Sequence, residues 1–496
     1  MILLGFDIGS SSVKASLVDA EKGQVIGLVQ QPQTEMEISA PQDGWAEQNP
    51  EDWWYHLQKA THSLLEQTGI KGKDIKGIGI SYQMHGLILI DREQKVLRPA
   101  IIWCDSRAVQ IGEQAYDQIG PEKCLNHLLN SPANFTASKL KWVKDHEPHV
   151  YQQAYKFLLP GDYIAMKLTG EVGTTIPGLS EGILWDFKKN QVADFLLDFY
   201  GIDSSLVPDI VPSFGRQGQL SGSVATRLGL EPGTPVTYRA GDQPNNAMSL
   251  NVLKPGEIAA TGGTSGVVFG VVDKPVFDVE GRVNSFAHVN HSATDPRIGV
   301  LLCINGAGIQ YRWMKQQLDQ DNLSYGDIEK MIADVPVSSD GLHIIPFGNG
   351  SERILGNRNV GSHIFNLNFN THKKAHFYRA ALEGVAFSFA YGIEILREMG
   401  LQIDVIKVGN DNLFQSEVFS TSLCNLLGSR IEIMETTGAI GAARAAGVGA
   451  GAYSDLSEAM GKVAIVKTYN ATNSNGVYNQ AYQSWKSDLE KILVSA

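Results

Sequence analysis

The sequence predicts an α/β protein of two duplicated lobes facing a common cleft. Three features predict it. The chain has 496 residues, well beyond the roughly 250–300 residues at which one hydrophobic core stops growing. Each half opens on the same theme of apolar strand, turn of glycine and hydroxyl residues, and second strand. In the first half these are residues 2–8, Gly9-Ser10-Ser11-Ser12 and 13–18; in the second they are EIAATGGTSGVVFGVV at 257–272. Between them, PVTYRAGD reads as a strand that delivers Asp242 at its C-terminal end, where α/β sheets place reactive groups.

Other elements are legible in order. Asn49 caps a helix with Pro50 in its first position, Glu51 and Asp52 in its first turn, and Trp53, Leu57, Ala60 and Leu64 at helical spacing; Gly69 ends it. GIGISYQMHGLILID then reads as strand, polar loop, strand. A long helix is expected over about 371–398, with a face of small residues around Ala380, Ala381 and Gly384. An amphipathic helix at about 477–494 is expected as a surface cap. The lobes should divide near 243–256, giving 1–245 and 246–496.

Composition narrows the function. Hydrophobic residues make up 43% and charged ones 19%, as in ordinary globular enzymes and unlike disordered or fibrous chains. The formal net charge is -12, and no Lys/Arg cluster supplies the basic face of a nucleic-acid binder. Cys104, Cys124, Cys303 and Cys424 lie far apart without metal-ligand spacing, which points to a reducing compartment and no zinc. No apolar run nears the ~18 residues of a membrane span, and MILLGFDIG reads as a first strand rather than a leader. The expected location is cytoplasmic. A homodimer is left open.

Four segments carry chemistry. In Asp7-Ile8-Gly9-Ser10-Ser11-Ser12-Val13-Lys14, backbone N–H groups and hydroxyls suit phosphate oxygens, and Asp7 suits magnesium held through water. Alone, it is equally a plain hairpin turn capped by an aspartate, and it is neither a P-loop nor a dinucleotide fingerprint. Thr261-Gly262-Gly263-Thr264-Ser265-Gly266 repeats it, and two such turns fit a nucleotide clamped between lobes. Asp242, followed by Asn245 and Asn246, offers the one carboxylate that direct phosphoryl transfer needs to accept an alcohol proton; the alternative is a turn aspartate at a junction. Gln83 and His85 in Tyr82-Gln83-Met84-His85-Gly86, with Asp105 and Arg107 of Trp103-Cys104-Asp105-Ser106-Arg107, suit a sugar pocket. A structural histidine and a structural Asp–Arg pair read equally well.

Together and in this order these segments resemble the FGGY family of carbohydrate kinases, and within it the xylulokinase branch. The resemblance runs over nearly the whole chain, through GFDIGSSSVKASLVD, GWAEQNPEDWW, GIGISYQMHG, VLRPAIIWCDSR, KLKWVKDHEP, LLPGDYIAMKLTG, GGTSGVVF, RAALEGVAFSFAYG and TTGAIGAARAAG. It implies two actin-like, ribonuclease-H-like lobes, sugar mainly on the first and ATP mainly on the second. It implies phosphorylation of a ketopentose, D-xylulose first, with ATP and Mg2+ and with Asp242 as base. Sugar contacts are expected at Gln83, Met84, His85, Asp105 and Asn246. Nucleotide contacts are expected at Ser10, Ser11, Lys14, Gly263, Thr264, Ser265, Gly409, Asn410 and Gly441, and metal contacts at Asp7 (through water) and Asp242.

The chain departs from the family pattern in three places. Gly409-Asn410-Asp411-Asn412 replaces a glycine-rich turn and should add bulk where adenosine lies. Gly350-Ser351-Glu352-Arg353-Ile354-Leu355-Gly356 keeps Glu and Arg but loses Thr-Pro. Gly178-Leu179-Ser180-Glu181-Gly182 replaces an Asp-Ala-Ser segment, so one carboxylate of the sugar lobe is expected to be missing. Competing readings are a kinase for ribulose, fuculose, rhamnulose or glycerol, a weakly active sugar-binding regulatory homologue, and an actin- or chaperone-like nucleotide switch.

Overall fold

A computed structural model describes residues 1–319, 322–472 and 475–495. The first lobe is built on five strands, β1 (Ile2–Ile8), β2 (Val13–Asp19), β3 (Gln24–Gln31), β4 (Ile75–Tyr82) and β5 (Val236–Gly241). Their order is β5-β4-β1-β2-β3. The first three form an antiparallel meander, and β4 and β5 run parallel to β1.

The second lobe repeats this plan with β6 (Glu257–Gly262), β7 (Gly266–Val272), β8 (Asn284–Ala287), β9 (Ile298–Ile304), β10 (Val405–Gly409), β11 (Arg430–Met434) and β12 (Ile465–Tyr469). Their order is β8-β9-β7-β6-β10-β11-β12. With the antiparallel edge strands β8 and β12 set aside, order and strand directions match the first sheet. The duplication is therefore one of topology, carried by the period-2 hairpins at each lobe's start.

Each sheet is covered on both faces, so its central strands read as apolar runs rather than alternating ones. On one face of the first sheet lies α1 (Pro50–Thr68), with the Asn49 carboxamide accepting the Glu51 N–H and Gly69 in the left-handed region at φ 67°. β5 and its counterpart β11 each lead into a helix: α2 (Asp242–Ser249) after β5, and α4 (Gly438–Gly449) after β11. Between them in sequence, α3 (Lys374–Glu398) is the long helix expected from the small-residue pattern, starting three residues later than 371.

Although α4 belongs to the second half, it packs on the first sheet and against α2. The contact is backbone to backbone. A Cβ on Gly5 of β1 would sit 2.0 Å from the Ala439 carbonyl, and one on Gly79 of β4 would sit 2.0 Å from that of Ala442. Glycine on the strands and alanine on the helix are what this approach requires.

Two expectations are revised here. A division at 245/246 falls inside α2, whose carboxylate-bearing first turn and second turn are one helix. The chain passes between lobes after it, in 250–256. The C-terminal helix (Asn475–Ser495) is more than a surface cap, since it sinks Trp485 and Leu489 to zero exposure and bonds Trp485 Nε1 to the Ile344 carbonyl at 2.9 Å. Among the described residues, no helix is long and apolar enough to cross a membrane.

Candidate active site

Asp242 is the first residue of α2, directly after β5. Burial, and then the negative charge of Asp7, push its carboxyl up to about 7, against hydrogen bonds from Gln243 that favour the ionised form. Asp7 is the last residue but one of β1, and its Oδ1 accepts the Ser81 hydroxyl at 2.7 Å. A Cβ on Gly438 would lie 2.7 Å from Asp7 Oδ2 and 3.0 Å from Asn246 Oδ1, so these two side chains converge on the start of α4. Asn246 thus stands with Asp7 rather than with Met84 and His85. Asn245 is a packing residue: it is buried, accepts the Tyr238 hydroxyl at 3.1 Å and donates to the Gly438 carbonyl at 3.0 Å.

The turn after β1 is closed by the Gly9 N–H donating to the Ser12 carbonyl at 3.0 Å. Gln48 Nε2 donates to the Ser10 carbonyl at 2.7 Å, and Trp103 Nε1 to the Ser10 hydroxyl at 3.3 Å. Gln83 is 3% exposed, and its amide donates to Gln48 Oε1 at 3.4 Å. Through Gln48 it braces the Ser10 turn, while its own side-chain oxygen is buried with no partner among the described residues. Lys14 sits opposite Asp7 in the β1–β2 register. Trp103, half-exposed and bonded to Ser10, is a neighbour of the turn that sequence reasoning passed over; its place at the head of the WCDSR segment was the available signal.

Asp105 is corrected more firmly. It is fully buried, one oxygen accepts the Ala46 N–H at 2.6 Å, and both oxygens face Arg107 at 2.7–3.0 Å. Arg107 also pairs with Glu47 at 2.8 Å and lies over the rings of Trp45 and Trp142, 3.8 and 4.8 Å from their centroids. The GWAEQNP and WCDSR segments are therefore one knot, which holds Gln48 and Trp103 against Ser10. With its lone pairs used up in this way, Asp105 has none to offer a sugar.

Met84 and His85 turn in the loop after β4. His85 is left-handed, at φ 63°. Its ring Nδ1 lies 2.8 Å from the Glu181 carbonyl, so Nδ1 carries the proton and donates. Burial, and then the charge of Lys139, hold the imidazole down at about 3, so it is neutral with Nε2 as acceptor. Lys139, itself fully buried and lowered to about 7 by that burial, donates to the carbonyls of His85 and Ile102 at 2.9 Å each. From the second lobe, Phe286 packs on the His85 ring at 5.3 Å.

The expectation of a missing carboxylate also falls. Glu181, 1% exposed, accepts the His85 N–H at 3.4 Å, and a Cβ on Gly241 would lie 2.3 Å from its Oε2. A carboxyl is present, supplied one helical turn along from Gly178.

On the second lobe, Gly263 and Thr264 line a cavity of about 540 Å³ with Gly308, Tyr311, Arg312, Glu329 and Asn412. The start of the helix Gly308–Leu318 is docked on the turn, with Gly308 N–H donating to the Gly263 carbonyl and Ile309 N–H to that of Thr264, each at 3.0 Å. Ser265 stands beside Thr264 in the same turn, partly exposed. The loop before the helix is held by Glu352, which accepts the N–H groups of Asn305 and Gly306 at 3.0 and 2.7 Å.

Gly409 ends β10, and Asn410 turns its amide to Glu435 at 2.9 Å. Of the GNDN segment only Asn412, left-handed at φ 52°, lines the cavity, so the expected bulk at Asn410 and Asp411 does not fill it. Gly441 lies in the α2–α4 contact, where a Cβ would sit 2.3 Å from that of Ser249. Tyr311, Arg312 and Glu329 carried no motif and were missed. A larger depression of about 690 Å³, lined by Glu51, Lys95, Arg98 and Lys167 among others, contains none of the site residues.

Two sheets of this matching topology, each with a turn of glycine and hydroxyl residues in its first hairpin, are those of the actin-like ATPase class of fold. Comparisons with known proteins narrow the class. Residues 2–249 match the N-terminal domain, and residues 258–450 the C-terminal domain, of the FGGY family of carbohydrate kinases. The xylulose kinase of Bacillus subtilis (strain 168) is 30% identical over 470 residues, covering 92% of this chain and 90% of its own. The L-xylulose/3-keto-L-gulonate kinase of Escherichia coli (strain K12) is 31% identical over 469 residues, with 92% and 90% covered. The crystal structure of xylulose kinase from Rhodospirillum rubrum superposes with a TM-score of 0.89 over 99% of both chains at 23% identity. The chain belongs to the FGGY family of carbohydrate kinases and is a carbohydrate kinase acting with ATP.

Proposed function

We propose that this kinase transfers the γ-phosphoryl group of ATP to the terminal hydroxyl of a ketopentose, D-xylulose first, with Asp242 taking the hydroxyl proton. The position of Asp242 carries the reading. It lies at the meeting of the Met84–His85 turn, through Gly241 and Glu181, and of the Asp7–Ser10 turn, through the charge of Asp7. In this reading the sugar occupies the first lobe between Met84, His85 and Asp242. The nucleotide occupies the second, with its phosphates between the Ser10–Ser11 and Gly263–Thr264 turns and its base in the Tyr311–Asn412 cavity.

Magnesium fits the donors present. Asp7 and Asp242 are two carboxyl groups with no cationic partner within 4 Å among the described ion pairs, and a hard cation that keeps most of its waters needs few protein oxygens. Asp7 would hold it through water with Asp242 beside it, and the bound ion would neutralise phosphate charge. Phosphoryl transfer otherwise depends on positioning, which the Ser10 and Gly263 turns supply, and closure of the lobes would exclude water from the γ-phosphate.

One observation favours a second reading, a keto sugar acid as substrate. Arg353, partly exposed, acts on His85 through its charge, donates to Asn284, and has no carboxylate partner among the described ion pairs. A cation without a carboxylate partner suits an acid group, and a relative at 31% identity is named for 3-keto-L-gulonate. A coupled ADP-release assay over D-xylulose, L-xylulose, ribulose, fuculose, rhamnulose, glycerol and 3-keto-L-gulonate decides. The highest kcat/KM with D-xylulose supports the first reading, the highest with the acid supports the second, and sugar-independent rates throughout defeat both.

A further inference from the structure

We propose that Glu181 is the positioning residue of the sugar-reading turn: it clamps His85 in a strained pose and ties that turn to the strand end carrying Asp242. The inference rests on the reading that Met84 and His85 meet the sugar.

A non-glycine residue in the left-handed region persists only where its surroundings over-determine it. His85 is such a residue, and three bonds fix it. Its N–H reaches the Glu181 carboxyl at 3.4 Å, its Nδ1–H the Glu181 carbonyl at 2.8 Å, and its own carbonyl accepts from Lys139 at 2.9 Å. Two of the three come from Glu181. The other carboxyl oxygen lies against Gly241, where a Cβ would approach it to 2.3 Å and Met84 Cγ to 2.5 Å. One side chain thus touches both walls of the sugar site, and glycine at 241 is what admits it.

Glu181 is itself held rigidly. It ends the short helix Ile176–Glu181, whose Gly178 N–H is capped by the Thr175 hydroxyl at 3.1 Å and whose Ser180 hydroxyl accepts the Ala287 N–H at 2.9 Å. A carboxyl cannot come from one turn earlier, because a Cβ on Gly178 would already meet Leu159 Cδ1 at 2.9 Å and the Thr174 and Thr175 hydroxyls at 3.2 Å. No cation pairs with Glu181 among the described residues, and burial, then the Asp242 charge, raise its carboxyl well above the usual range. A group so enclosed acts by shape and hydrogen bonding. The backbone carbonyl of the same residue fixes the tautomer: His85 offers Nε2 as an acceptor, so the sugar must present a hydroxyl to it, not a carbonyl.

Steady-state constants for Glu181→Gln, Glu181→Ala and His85→Ala test this. Glu181→Ala should raise the sugar KM at least tenfold with the ATP KM within twofold. Glu181→Gln keeps an oxygen for the His85 N–H and should stay within threefold of the parent. An unchanged sugar KM in Glu181→Ala, equal losses in Gln and Ala, or parallel shifts in sugar and ATP constants would each overturn the proposal. An unchanged sugar KM in His85→Ala would overturn the sugar-contact reading itself, separately from Glu181. Should Glu181→Ala fail to fold, Glu181→Met takes its place, since it keeps the length and offers the His85 N–H no oxygen: a sugar KM raised at least tenfold is expected, and one within threefold of the parent overturns the proposal.

Discussion

The hydroxyl of Ser180 accepts the backbone N–H of Ala287 at 2.9 Å, and both residues are buried. The bond joins a helix of the first lobe to an edge strand of the second. The next residue back along that strand, Phe286, packs on the ring of His85. The sugar-reading turn and the second sheet therefore share one desolvated joint.

Ser180→Ala leaves the Ala287 N–H without its acceptor in a site closed to water. The expected cost is about 1–3 kcal/mol, read as a lower midpoint in urea unfolding at unchanged slope. An unchanged midpoint would show that the joint contributes nothing.

Asp242→Asn retains size and removes the base. Turnover should fall about 10²- to 10⁴-fold, while sugar affinity by calorimetry stays within a few-fold. Substantial residual turnover would take the base role away from Asp242.

Protonation sets a further test. The Asp242 carboxyl is held up at about 7 by burial and then by Asp7. A base must be ionised, so kcat/KM should fall as pH drops through this region. Asp7→Asn removes the second cause and should move that limb to lower pH, whatever it does to the maximum. Saturating Mg2+ should move it the same way, since a nearby cation favours the charged carboxylate. A limb indifferent to both would mean that another group titrates.

A methyl group on Gly308 would stand 2.2 Å from the Gly263 carbonyl. Gly308→Ala should displace the phosphate turn at an overpacking cost of about 1–3 kcal/mol, roughly 5- to 150-fold in ATP KM. The sugar KM should stay within twofold. A rise in the sugar constant alone would contradict the assignment of this turn to the nucleotide.

The fold was legible where local rules act. The hairpins at 2–19 and 257–272 announce themselves by apolar strands around glycine turns, and α1 by Asn49, Pro50 and Gly69. Asp242 was legible because a strand pattern ends on it. What stayed hidden depends on contacts between distant segments. Asp105 has the chemistry of a sugar ligand, yet Arg107 and Ala46 claim it. Glu181 was visible as a letter, but its use follows from the phase of its short helix and from the bare backbone of Gly241, sixty residues away. Tyr311 and Glu329 reach their cavity through tertiary packing alone.

The placement of α4 has a consequence for any attempt to divide the protein. The seven residues 250–256 invite a cut, and each side carries a complete sheet. Yet a fragment ending there would leave bare the strand face around Gly5 and Gly79, where the glycines provide no side chains to mask the backbone groove. The complementary fragment would carry an alanine-rich helix with nothing to lie on. Neither half should fold by itself, and the two should be regained together, by mixing the pieces, or not at all.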